Sequence, residues 1–118
     1  MSVITKFYDI KAWQKAHILT LEIYKTTKNY FPKEEIYALT SQIQRASMSI
    51  TANIVEGFYR KSKKEQLRFY EISMSSLEEV KYHIILAKDL EYISIDQARK
   101  LYNQCNTTGK TLRGWMNN

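Results

Sequence analysis

Apolar side chains recur along this chain in a three-then-four rhythm, the spacing that lines one face of an α-helix packed lengthwise on other helices. The rhythm is clearest around Leu39 to Gly57. Ile36, Ile43 and Ile50 fall seven apart, and Leu39, Ala46 and Asn53 occupy a second register between them. A first helix is predicted over residues 10–29, with Asp9 as its N-cap and a seam of Ile10, Trp13, His17, Thr20, Tyr24, Thr27 and Phe31. Ala12, Ala16, Leu19 and Ile23 broaden that seam. Phe31-Pro32 should break it, because the residue before proline is pushed out of the α region. Pro32 then suits the first turn of a second helix, 33–57, with Glu34 and Glu35 at its positive end and Gly57 as a left-handed C′ residue.

Ser62 with Glu65, and Ser94 with Gln97, have the spacing of capping boxes. They open a third helix over 63–90 and a fourth over 95–116. The third carries two stripes, Leu67, Tyr70, Met74, Leu77, Ile84 and Phe69, Ser73, Ser76, Val80, Ala87, Leu90. Its serines are poor helix formers that let a neighbouring helix come close. The fourth reads Ile95, Ala98, Tyr102, Cys105, Gly109, Leu112, Met116. Residues 1–8 read as an irregular lead-in. Four such helices with short links predict an all-α, antiparallel up-down-up-down four-helix bundle filling a single domain, 1–118.

Composition narrows the class further. A chain of 118 residues with 44% hydrophobic and 25% charged content is of one-domain size. Three glycines and one proline leave little for the turns of a β fold. The single Cys105 allows no intramolecular disulfide and fits a reducing compartment. No apolar run nears the roughly 18 residues of a membrane span, and no signal-peptide apolar region opens the chain. The expected location is cytoplasmic, with no membrane partner.

The net charge of +6 favours polyanionic partners, and the bundle topology concentrates it. The start of helix one, the link from helix two to three, and the end of helix four share one end. Lys6, Lys11, Lys15, Arg60, Lys61, Lys63, Lys64, Arg68, Lys110 and Arg113 gather there against Asp9, Glu56 and Glu65. At the other end, Lys25, Lys28, Lys33, Lys88, Arg99 and Lys100 are nearly cancelled by Glu34, Glu35, Asp89, Glu91 and Asp96. The basic link fits a solvated loop, a nucleic-acid contact or an acidic protein partner. Phe58 and Tyr59 beside it either stack on bases or pack against a helix end.

The chemistry of catalysis is missing from the pattern. A carboxylate-bridged metal pair needs Glu-x-x-His on two helices, which neither His17 nor His83 supplies. His17 reads as a core histidine, and Glu79 with His83, four apart on helix three, as an exposed pair or a hydrogen bond. Cys105 sits on a core stripe as an inert small hydrophobe. No phosphate loop, nucleophile elbow or zinc spacing is found, so no cofactor or metal is expected. Gln42, Arg45, Ser49, Asn53 and Glu56 step three or four apart down helix two as one polar strip, with Arg68 and Glu78 as candidate partners. This reads as a structural network linking helices or subunits.

The motifs resemble a known family. Phe31-Pro32, Glu35, Leu39-Thr40-Ser41-Gln42, Arg45-Ala46, Ser49-Ile50, Asn53-Ile54, Glu56-Gly57, Arg60 and Ser76-Leu77 with Glu79 follow its pattern, as does Trp13-Gln14-Lys15-Ala16 on helix one. The chain is similar to the bacterial four-helix-bundle proteins first noticed in intervening sequences of large-subunit ribosomal RNA genes. That family includes the accessory variability determinant proteins of diversity-generating retroelements. Val55 stands where the motif has Ala, Thr51 where it has Pro, and Ser75 where it often has Gly. The resemblance implies a ring-shaped homo-oligomer, a pentamer, without enzymatic activity. It also implies nucleic acid and a reverse transcriptase as partners.

Three functions follow as expectations. The first is a non-catalytic oligomeric adaptor whose basic pole contacts RNA or DNA. The second is a structural or protein-binding oligomer using its tyrosines and the serine-rich face of helix three. The third is an enzyme built on the polar strip near Asn53 and Glu56.

Overall fold

Lys11–Tyr30, Leu39–Phe58, Lys63–Asp89 and Ile95–Met116 form four α-helices, α1 to α4, in a computed structural model that describes residues 3–118. Met1 and Ser2, the beginning of the expected lead-in, lie outside the described residues. Short 3₁₀ turns at Phe7–Asp9 and Lys33–Glu35 precede α1 and α2, and no strand occurs among the described residues. Each helix packs on its two neighbours in the order α1-α2-α3-α4-α1, giving a four-cornered bundle.

The direction alternates. Gln44 near the start of α2 donates to Thr27 Oγ1 near the end of α1 at 3.0 Å. Gln66 at the start of α3 reaches back to the Phe58 carbonyl at the end of α2, and Lys81 lies over the Tyr102 ring between α3 and α4. The molecule is 46 Å long, close to the roughly 40 Å of a 27-residue helix such as α3. Ile10, Leu19, Ile23, Ile43, Ile50, Ile54, Leu77, Ile84 and Leu112 are fully buried along the axis. Each contributes about 1.5–3 kcal/mol relative to leaving the side chain in water.

Several expectations change once the helices are packed. Asp9 does not cap α1. It closes the 3₁₀ turn, and the N-cap position falls on Ile10, which has no side-chain cap and is fully buried. Burying Ile10 anchors the helix start instead. The second helix begins at Leu39, six residues later than residue 33, because Ile36 and Tyr37 find no neighbour to bury them. They are 56% and 94% exposed. Glu35 then serves the new start, its Oε1 accepting the Leu39 N–H at 3.1 Å.

Gly57 is no left-handed C′ residue. It lies inside α2 without a positive φ, and Glu91, in the α3–α4 turn, has the positive φ among the described residues. Gly57 is buried because α3 crosses there. A Cβ at this position would lie 2.6 Å from Tyr70 Cε1. The same closeness recurs along α2 and α3, where Ser73 Oγ donates to the Ile50 carbonyl at 2.8 Å and Ser49 meets Ser76 at 2.8 Å. Small side chains let these two backbones approach, and theirs is the most extensive helix pairing.

The histidines exchange roles. His17 is exposed and stacks on Trp13 with centroids 4.9 Å apart, whereas His83 is buried, 8% exposed. The cause is register: the three-four rhythm can be traced along two faces of α1, and the one that packs lies about a quarter turn round from the row of His17 and Tyr24. The buried face of α1 is therefore centred on Ala12, Ala16, Leu19 and Ile23, with His17 and Tyr24 turned out. Ile95 and Leu90, placed on seams of α4 and α3, are exposed at the bundle end.

Candidate nucleic-acid interface

The turn between α2 and α3 is built by its backbone. The Arg60 N–H returns to the Gly57 carbonyl at 3.1 Å, and Ser62 Oγ accepts the Glu65 N–H at 3.1 Å to cap α3. Gln66 spans the turn, its amide donating to the carbonyls of Phe58 at 3.5 Å and Arg60 at 3.2 Å. Lys63 Nζ donates to the main-chain oxygen of Asn118 at 2.6 Å, and the Phe58 ring lies 6.2 Å from that of Trp115. The turn and the end of α4 are thereby brought together, and with them Arg60, Lys61, Lys63, Lys64, Lys110 and Arg113.

Arg68 is exposed one helical turn beyond Lys64 on the same side of α3. Lys15 borders a shallow groove with Gln104, Thr107 and Thr108 of α4, and Lys11 stands one turn nearer the pole. All nine cations are exposed. Their engagement differs, however. Arg60 pairs with Glu56 at 2.9 Å and lies 4.6 Å from the centroid of the Phe69 ring. Such an exposed pair contributes at most about 1 kcal/mol, but it ties the guanidinium down. Lys63 is held by Asn118. Lys11, Lys15, Lys61, Lys64, Arg68, Lys110 and Arg113 have no carboxylate within ion-pair distance among the described residues.

Beneath the turn lies an aromatic cluster that sequence reasoning missed. Tyr70, only 3% exposed, fits against Gly57, and burial raises its phenol above the ordinary value. The Trp115 indole N–H opposes that shift as a nearby dipole, although its Nε1 lies buried outside hydrogen-bond geometry. Phe58 joins this cluster while Tyr59 turns outward.

The polar strip of α2 is smaller than its spacing suggests. Asn53 Nδ2 donates to the Ser49 carbonyl at 2.8 Å and to Ser49 Oγ at 3.0 Å, and Ser49 meets Ser76. Gln42, Arg45, Glu56 and Glu78 are exposed, and Glu78 pairs with Lys81 at 3.1 Å rather than with α2. The expectation of one connected buried network is corrected: within a single chain it is a knot of Ser49, Asn53 and Ser76. Arg45 and Glu56 turn to the outer flank because three-four stepping wanders around the helix.

Reactive groups are held in unreactive settings. Burial pushes the Cys105 thiol up to about 12. Burial also pushes the His83 imidazole below its ordinary value, partly opposed by Glu79 at 3.9 Å, and its Nδ1 has no partner. No group of three or more His, Cys, Asp and Glu side chains comes together among the described residues. None of the described helices is long and apolar enough to cross a membrane.

Residues 8–114 match the family model of the 23S rRNA-intervening sequence protein. The chain belongs to this family. Among solved structures it is similar to a protein with unknown function from the S23 ribosomal protein family of Bacteroides thetaiotaomicron VPI-5482. The two share 24% identity over 91% of this chain and 99% of the other, with a TM-score of 0.78. At that identity the likeness establishes the shared fold. A search of curated proteins returned no match. The expected resemblance is thus met at the level of the intervening-sequence family.

Proposed function

We propose that this intervening-sequence family protein is a non-catalytic oligomeric adaptor that contacts RNA or DNA through its basic pole. The observation that carries the reading is the gathering of unpaired cations around the α2–α3 turn and the end of α4. A phosphate backbone is the polyanion such a cluster attracts, with release of counterions. The ring-shaped homo-oligomer implied by resemblance, a pentamer, strengthens it. Copies set side by side would present several poles to one strand, and linked weak contacts multiply. A reverse transcriptase is the enzyme partner the resemblance implies, and the cytoplasm is the setting that a lone buried thiol suits. The absence of a role in catalysis is supported by the raised Cys105 thiol and the enclosed His83.

The test is binding of labelled RNA and DNA across a salt series. Affinity should fall steeply from low to physiological salt, with a slope set by the number of phosphates met. Reversing Lys61, Lys63 and Lys64 to Glu should abolish binding, and unchanged affinity would refute the reading. A second reading, a structural or protein-binding oligomer without nucleic acid, is favoured by apolar side chains standing exposed outside the core. Ile18 and Leu21 on α1 and Ile72 and Tyr82 on α3 are among them. Light scattering addresses both, since a monomer at micromolar concentration contradicts either.

A further inference from the structure

We infer that Tyr59 is a stacking platform for an unpaired base, so that the basic pole selects single-stranded over duplex nucleic acid. The inference rests on the nucleic-acid reading above and extends it to the kind of strand. The two aromatic residues of the turn part company. Phe58 is half-buried toward Trp115, while Tyr59 stays 58% exposed. Its ring is braced by Phe58 in a T-shaped contact, with centroids 4.9 Å apart and planes at 68°.

The backbone on either side is already fixed. Gln66 bonds the carbonyls of Phe58 and Arg60, the residues flanking Tyr59. A platform on so constrained a turn loses little freedom when a base lands on it, and preorganisation of this kind favours binding. The flanking charges divide in the same way. Arg60 is occupied by Glu56 and Phe69, whereas Lys61 and Lys64 are exposed with no carboxylate partner among the described residues, and so are available to phosphates flanking a stacked base.

A duplex cannot use this arrangement, because its base faces are covered by neighbouring pairs and exposing one requires unstacking. A single strand offers a base face with no such requirement. Every base has one, so the preference should be for strandedness, with little for sequence. RNA and DNA single strands should both respond, since the stacked face carries no sugar.

The experiment is fluorescence anisotropy with unstructured single-stranded RNA and DNA of about a dozen nucleotides, and with duplexes of the same sequences at the same salt. Tyr59→Ala is expected to weaken both single strands on the order of tenfold while leaving duplex affinity unchanged. Tyr59→Phe, which keeps the ring, should bind as the unaltered protein does. Tyr59→Leu, which keeps an apolar brace for Phe58 but no π-face, must lose as much as Tyr59→Ala. Circular dichroism melts confirm that each variant folds. If Tyr59→Ala binds single strands normally while Lys61→Glu with Lys64→Glu abolishes binding, the platform is overturned and the basic-pole reading stands. If single strand and duplex weaken equally in Tyr59→Ala, the platform is overturned as well. If the lysine reversals change nothing, both ideas fall.

Discussion

Replacing Gly57 by Ala sets helix propensity against packing at one atom. Ala is a better helix former than Gly by about 1 kcal/mol, so an open site would gain from the change. Gly57 is not open. The added Cβ would lie 2.6 Å and 2.9 Å from Tyr70 Cε1 and Cδ1, and 3.1 Å from the Gln66 carbonyl oxygen. Carbon atoms prefer about 3.5–4.0 Å, so the overlap with the ring is about 1 Å.

The Tyr70 ring is buried close to Trp115, and the Gln66 carbonyl one turn earlier on α3 crowds the same Cβ. Overpacking of this kind costs about 1–3 kcal/mol, and crowding by both a buried ring and a backbone carbonyl places it near the top of that range. The net is a destabilisation of about 2 kcal/mol after the propensity gain. An unfolding entropy of about 2.1 cal/mol/K per residue over 118 residues makes each kcal/mol worth about 4 °C. Gly57→Ala should therefore lower Tm by about 8 °C. Gly114, with nothing within 4 Å of its Cβ direction, is the internal control. Gly114→Ala should raise Tm by about 2–4 °C. Both are read by far-UV circular dichroism at equal protein concentration, because oligomerisation makes Tm depend on concentration. A Gly57→Ala protein that melts with or above the parent would show that α2 and α3 part without penalty, and the close-approach argument would fail.

The Glu35 clamp predicts an acid dependence. Tyr92 Oη donates to Glu35 Oε2 at 2.6 Å, and this bond first, then the Leu39 N–H, holds the carboxyl below its ordinary value. Its folded pKa is depressed, so its contribution is complete above the unfolded carboxylate value and is lost as pH falls through the folded one. Between about pH 7 and pH 3 the parent should lose more Tm than Glu35→Gln does, and equal losses would sink the clamp. His83 acts in a higher window. Its folded pKa is also depressed, so its share of stability is present above about 6.5 and is lost as pH falls through the folded value. His83→Gln should flatten that part of the stability profile, and an NMR titration should find the His83 imidazole below the ordinary histidine range. Cys105, raised to about 12 and fully buried, should ignore a thiol reagent in the native protein and react once denaturant is added. Native-state labelling at the rate of a free thiol would contradict its burial.

Features that depend on chain neighbours were legible before any packing was known. Ser94 and Gln97 form the reciprocal box their spacing announces, with Gln97 N–H to Ser94 Oγ at 3.0 Å and Ser94 N–H to Gln97 Oε1 at 2.7 Å. Ser62 caps α3 through the Glu65 N–H alone. Both lie within one turn, where hydrogen bonds close without help from elsewhere. Helix number and period follow from equally local patterns.

Other features escaped that reading because they depend on what lies across the gap. The start of α2 moved to Leu39 because no neighbour covers Ile36 and because Glu35 meets Tyr92, a residue from the distant α3–α4 turn. Gly57 carries the mark of a helix end, and only the arrival of Tyr70 makes it a contact point. The polar strip has the correct spacing, yet only Ser49 turns far enough toward α3 to meet Ser76, with Asn53 bonded to Ser49 on the same helix. The sequence by itself determined four helices and their order, since period and caps are properties of a segment. Tertiary structure alone decided which residues those helices bury and where two backbones touch. A three-four rhythm can be traced along more than one face of a helix, and only a neighbour selects the face that is kept.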